Sequence, residues 1–188
     1  MLVLGIDVGI NGALAFFDPD RGLLDLVDMP KLQIERNGKT KSTISAPMLA
    51  ALIRARSETL IGALVEQVGA MPGQGVSSMF SFGRSLGIVE GTLAGLHIPV
   101  FFSTPQSWQK VARVAGGKDG SRARASELYP AYAAAFSRKK DDGRADAALI
   151  AWVGATTVFE RPCASLSRSS LDLADPQKRG SAPFKDAE

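Results

Sequence analysis

The chain has 188 residues, 45% of them hydrophobic and 22% charged, with a formal net charge of +3. That balance fits a folded globular chain and excludes collagenous, coiled-coil and disordered ones. Apolar runs are broken well before the roughly 18 residues a membrane span needs. The lone Cys163 excludes an intramolecular disulfide and points to a reducing cytoplasm.

Residues 2–8 form a short branched apolar run, the pattern of a buried strand. Residues 1–17 carry Asp7 and lack a basic leader and a cleavage pattern, so they do not read as a signal peptide. Asn11-Gly12 is a strong hairpin signal, and it predicts a turn before a second strand over 13–17. A further turn over 18–22 leads to a third strand over 23–28, completing an antiparallel meander. Residues 29–43 are polar and read as a loop or a mobile hairpin carrying Lys39 and Lys41.

The period then changes. Met48, Leu49, Leu52 and Ile53 recur at helical spacing behind Ser45 and Pro47. A fourth strand is expected over 61–68, a Gly/Pro-rich loop over 69–75, and a long helix over 77–96. In that helix Gly83, Gly87, Gly91 and Gly95 recur every fourth residue, a face suited to close packing. Residues 98–102 read as a fifth strand. Helices follow over 105–114, 121–129 and 144–158, with a polar, poorly ordered tail beyond about 158. This order predicts an α/β sandwich, a five-stranded mixed sheet with helices on both faces.

Charge is unevenly distributed. Residues 1–103 carry a net −1, residues 104–159 a net +4, and the remainder none. The excess comes from Lys110, Arg113, Lys118, Arg122, Arg124, Arg138, Lys139, Lys140 and Arg144, a cluster suited either to a polyanion or to solvated helix faces.

Four carboxylates stand out. Asp7 interrupts an apolar strand, and Glu66 follows Leu64-Val65 at the end of another. Burying such groups is costly unless a cation or a hydrogen-bond network compensates. Asp142 and Asp146 lie four residues apart, one helical turn, although Asp142 also suits an N-cap and Asp146 an exposed helix charge beside Arg144. Glu66 has an alternative as the partner of a nearby Arg, and Asp141 reads as a solvated neighbour. One histidine and one cysteine cannot build a usual zinc site or a nucleophilic triad, so His97 reads as structural and any metal must be held by oxygen. Mg²⁺ suits such a site, and paired ions can serve both the attacking and the leaving oxygen of a phosphodiester.

Three segments carry a resemblance: LGIDVGINGALAFFD (residues 4–18), VEQVGAMPGQGVSSMFSFGRSLGIVEG (65–91) and DGRADAALIA (142–151). Together they resemble the RuvC-type Holliday junction resolvases, the phage and prophage branch above all, over residues 1–158. The resemblance implies an RNase H-like fold and a homodimer that cuts opposed strands of a four-way DNA junction with Mg²⁺ (Mn²⁺ as a substitute), using two ions per site. The nicks would carry 5′-phosphate and 3′-hydroxyl ends. It assigns the acidic set to Asp7, Glu66 and Asp146, with Asp142 as fourth member in place of the family position now occupied by Gly143. It assigns phosphate contacts to Lys110 and to Lys118 or Arg122. The family's wedge aromatic corresponds to Gly69, which leaves Met71, Phe80 or Phe82, with Arg84, to meet the junction. The rival readings are a nuclease of the same fold acting on other branched DNA or RNA–DNA hybrids, and a junction-binding protein that does not cut. No junction-migrating helicase partner is specified by these residues.

Overall fold

The computed structural model describes residues 1–36, 38–67, 69, 73 and 75–159. In chain order the strands and helices are β1 (Leu2–Ile6), β2 (Ala13–Asp18), β3 (Leu23–Asp28), β4 (Lys31–Arg36), β5 (Lys39–Ile44) and α1 (Ala46–Arg54). Next come β6 (Leu60–Glu66), α2 (Val76–Gly95), β7 (Val100–Ser103), α3 (Pro105–Ala112), α4 (Gly120–Leu128) and α5 (Asp142–Val153). A π-helical turn, Gly154–Val158, continues α5.

Five strands form one mixed sheet in the order β3-β2-β1-β6-β7. The meander β1-β2-β3 is antiparallel, whereas β6 and β7 join β1 in parallel through helical crossovers. The Asn11-Gly12 turn closes as its sequence predicts, with Gly12 N donating to Gly9 O at 2.9 Å. Residues 29–43 resolve in favour of a hairpin: β4 and β5 pair with each other, turning at Gly38 with φ +68°, and stay outside the main sheet.

The central strands are apolar on both faces because each face has its own core. On one side Leu4, Ile6, Leu14, Phe16 and Val65 pack against Leu49 and Ile53 of α1 and Val89 and Leu93 of α2. On the other, Ala13, Ala15, Phe17 and Leu64 meet Trp108, Ala125 and the alanine-rich α5. Each fully buried large side chain contributes about 1.5–3 kcal/mol, so these two layers carry the fold.

Small residues let α5 settle directly on β1. A Cβ at Gly5 would collide with Ala147 O and with the backbone of Ala151. The glycine face of α2 behaves otherwise: Gly83, Gly87, Gly91 and Gly95 have nothing within 4 Å of a Cβ position among the described residues. Packing of that face against its own sheet is therefore corrected, because α2 turns Val89 and Leu93, not its glycines, to the sheet.

Three boundaries are corrected as well. β1 ends at Ile6, so Asp7 stands one residue past the strand rather than within it; β6 ends at Glu66; and α5 starts at Asp142 rather than 144. The tail beyond residue 159 lies outside the described residues.

Candidate active site

The register places the first two carboxylates side by side. Ile6 pairs with Val65 across the parallel β1–β6 ladder, so Asp7 and Glu66 leave the sheet at the same edge. The backbone N–H of Gly9 donates to Asp7 Oδ1 at 3.1 Å, while the N–H of Asp7 donates to Ala13 O at 3.1 Å. Burial raises the Asp7 carboxyl above the usual carboxylate range, and the Gly9 bond opposes it only in part.

Glu66 Oε1 accepts the indole N–H of Trp108 at 3.0 Å. Among the described residues no arginine pairs with it, which sets aside its alternative as half of an Arg ion pair there. Burial again raises its proton affinity, the Trp108 bond lowers it, and the negative charge of Asp7 raises it. Trp108 is fully buried at the centre of α3, whose first turn is capped by Thr104 accepting from Ser107 N. Sequence reasoning does not reach Trp108, although a buried indole N–H usually finds an acceptor.

Asp146 completes the cluster from α5. Its carboxyl is pushed up to about 7, first by burial and then by the charges of Asp7, Glu66 and Asp142, against a hydrogen bond from Ser121. Its Oδ1 is buried without a hydrogen-bond partner. Asp146 is thus no exposed helix charge, and Arg144 turns away from it to clasp Asp28 at 2.6 and 2.7 Å.

Asp142 begins α5, half-exposed, with Oδ1 2.7 Å from Arg122 Nε. Arg122 also binds Asp119, so this guanidinium is occupied by two carboxylates. The N-cap position belongs to Asp141, not Asp142. Asp141 needs the larger correction: it is 2% exposed and bound by Arg138, whose side chain reaches it at 2.8 and 3.0 Å. That pairing holds its carboxyl at about 2. A solvated neighbour would show neither feature.

Gly143 explains why an acid stands at 142. A Cβ at 143 would lie 2.6 Å from Asn11 O, 2.8 Å from Gly12 Cα and 3.0 Å from Asp7 Oδ2. The first turn of α5 therefore abuts the β1–β2 turn, and a side chain at 143 would displace the Asp7 carboxylate.

Among the described residues, no three of these acids are gathered tightly enough to hold an ion as they stand. Glu66 is drawn onto Trp108 and Asp142 onto Arg122. The donor chemistry nonetheless fits a hard divalent cation. The donors are all carboxylate oxygens, the charge of Asp7 raises the proton affinity of Glu66, those of Asp7, Glu66 and Asp142 raise that of Asp146, and Asp146 Oδ1 is buried with an unused lone-pair set. A cation would satisfy that oxygen and relieve the repulsion.

The basic cluster divides on inspection. Arg138 and Arg144 are spent on Asp141 and Asp28, Arg122 on Asp119 and Asp142, and Arg124 on Glu127. Lys110 and Lys118 are exposed and unpaired among the described residues. Arg84 and the exposed Phe80 (71%) and Phe82 (38%) line a groove of about 490 Å³ between α2 and the β4–β5 hairpin, with Lys41 on its far wall. Met71 lies outside the described residues.

The sheet order, the two helical layers and the carboxylates at the β1–β6 edge define an RNase H-like fold of the RuvC type. The chain superposes on T. thermophilus RuvC in complex with a Holliday junction substrate with a TM-score of 0.52 and 16% identity, covering 82% of this chain and 93% of that one. In sequence it is 31% identical over 178 residues to the chloroplastic Holliday junction resolvase MOC1 of Chlamydomonas reinhardtii, a match covering 83% of this chain. The chain spans about a fifth (20%) of the length of that curated relative. The yeast mitochondrial Holliday junction resolvase Ydc2 aligns with a TM-score of 0.44 and 22% identity, over 79% of this chain and 75% of that one. No protein-family model matches the chain.

Proposed function

We propose that this chain is a divalent-metal-dependent endodeoxyribonuclease that resolves four-way DNA junctions by paired nicks, working as a homodimer in the cytoplasm. The observation that carries the reading is the approach of Asp146 from α5 to Asp7 and Glu66 at one sheet edge, three carboxyls whose proton affinity is raised first by burial and, at Glu66 and Asp146, also by the neighbouring acids. Structural ion-pair networks lower carboxylate proton affinity, as they do at Asp141. A cluster raised in this way is one whose ionised form a bound cation would stabilise. The sequence identity to a Holliday junction resolvase supports junction DNA as the substrate.

Asp7, Glu66 and Asp146 would hold Mg²⁺ or Mn²⁺, with Asp142 available once released from Arg122. Such ions, two of them in this reading, supply charge neutralisation for the attacking and leaving oxygens of the phosphodiester. The protein groups do the positioning. Gly9 N fixes Asp7, Trp108 fixes Glu66, and the Gly143 contact sets the depth at which α5 presents Asp146. Lys110 and Lys118 offer free ammonium groups to phosphates on the α3–α4 side, and Phe80, Phe82 and Arg84 offer stacking and charge to unpaired bases near the branch point. The open glycine face of α2 supports a second copy docking there.

A substrate panel tests this. With Mg²⁺, a four-way junction should be nicked symmetrically on two opposed strands, while a fork, an RNA–DNA hybrid and plain duplex are cut at least about tenfold more slowly. Preferential cutting of the hybrid or the fork would replace the junction with that substrate.

A further inference from the structure

A cationic wall that includes neither Lys110 nor Lys118 borders the carboxylates. A cleft of about 550 Å³ opens between the Asn11-Gly12 turn, the start of β4 and the segment leading into α5. Its floor is shared with the acidic site, because Asn11, Gly12 and Gly143 line it and Gly143 abuts Asp7. Five cations line it, Lys31, Arg138, Lys139, Lys140 and Arg144, against three acids.

Each acid is already answered. Arg144 clasps Asp28 through two bonds, Arg138 clasps Asp141, and Arg122 reaches Asp142 from outside the cleft. The three lysines are left in excess. Lys139 and Lys140 have no ion pair or hydrogen bond from their side chains among the described residues. Among the described residues Lys31 Nζ makes no ion pair; it donates to the neutral Asn11 Oδ1 at 3.1 Å, with its charge near Asp28, which Arg144 already clasps. A concave surface with spare cations, its own acids neutralised, fits a run of phosphates rather than a carboxylate or an apolar ligand. Lys31 opens β4 and its Nζ reaches Asn11 in the turn after β1, so the cleft adjoins the end of β1 from which Asp7 leaves the sheet.

We infer that Lys31, Lys139 and Lys140 hold a stretch of DNA backbone in the cleft beside the carboxylates, in addition to any phosphate met by Lys110 and Lys118. The inference rests on the nuclease reading above and adds a second phosphate subsite to it.

The experiment measures four-way-junction binding by anisotropy, in EDTA, across a series of salt concentrations. It compares the full chain, a Lys31→Ala/Lys139→Ala/Lys140→Ala variant, and the same three positions changed to Arg. The alanine variant should bind more than about tenfold more weakly, with the slope of log K against log salt reduced by about two to three, one unit per lost phosphate contact. The arginine variant should keep the wild-type slope. Single methylphosphonate replacements in the junction should then reveal neutralised phosphates, on one side of the cut, that weaken the wild type but not the alanine variant. An unchanged slope and affinity in the alanine variant, while the wild type binds and cuts junctions, would overturn the subsite and leave the nuclease reading standing. A wild type that binds junctions with the predicted slope difference yet never cuts would overturn only the nuclease reading. A wild type that does not bind junctions at all would overturn both.

Discussion

Trp108 and Glu66, 42 residues apart in sequence, are joined by an indole N–H to carboxylate hydrogen bond of 3.0 Å. The indole is wholly buried in the α3–α5 core, whereas Glu66 sits at the sheet edge, so the bond ties a candidate metal ligand to a buried core residue. Trp108→Phe keeps most of the packing and removes the donor. It should cost about 1–3 kcal/mol in urea unfolding, the scale for a hydrogen bond to a charged group. It should also raise the Mg²⁺ concentration for half-maximal cleavage by several-fold, as read from a metal titration.

Gly143 is fixed by contact, not by helix propensity. Alanine is normally worth about 1 kcal/mol more than glycine inside a helix. Here its Cβ would meet Asn11 O at 2.6 Å and Asp7 Oδ2 at 3.0 Å. Gly143→Ala should therefore destabilise the protein by about 1–3 kcal/mol, the cost of overpacking a tight contact. It should also slow cleavage, because the Asp7 carboxylate must move. Thermal unfolding and single-turnover rates check the two effects separately.

The raised carboxyls predict an unusual pH dependence. With its folded value at about 7 against 3.8 in an unfolded chain, Asp146 retains a proton in the native state where the unfolded state has lost it. The unfolded state then binds fewer protons, and stability falls as pH rises from about 4 to about 7, by at most about 1.4 kcal/mol per pH unit for one such group. Urea melts in EDTA should show this decline, and Asp146→Asn should flatten it. Mg²⁺ should raise the melting temperature more at pH 8 than at pH 5.5, because a cation binds the ionised carboxylates.

The Arg138–Asp141 pair should behave in the opposite sense. Asp141 titrates at about 2 in the fold, so its contribution is present above pH 4 and lost as pH falls toward 2. Asp141→Asn should remove part of the acid-unfolding transition without altering metal affinity, which calorimetric Mn²⁺ titration would read.

Much of the site was legible because charged residues in apolar runs are anomalies that a sequence displays on its own. Asp7 and Glu66 stand out in that way, and the order of the main-sheet strands and helices along the chain needs only the switch from alternating to helical period. Asp146 was ambiguous, since nothing local tells a buried helix carboxylate from an exposed one; its burial is made by Gly5 and the alanines of α5. Contacts distant in sequence stayed out of reach. Asp141 looked solvated because its burial depends on Arg138 folding back over it, and Arg144 finds Asp28 across 116 residues. The glycine stripe of α2 misled for a related reason: periodicity marks a face, but not whether the chain itself covers it.

The most direct test is four-way-junction cleavage by the wild type and by Asp7→Asn, each with Mg²⁺ and with EDTA, the products mapped to strand and position. The account predicts paired nicks on opposed strands by the wild type with Mg²⁺ alone, and none by Asp7→Asn, which should still bind the junction. Cutting that persists in EDTA, or undiminished cutting by Asp7→Asn, would contradict it.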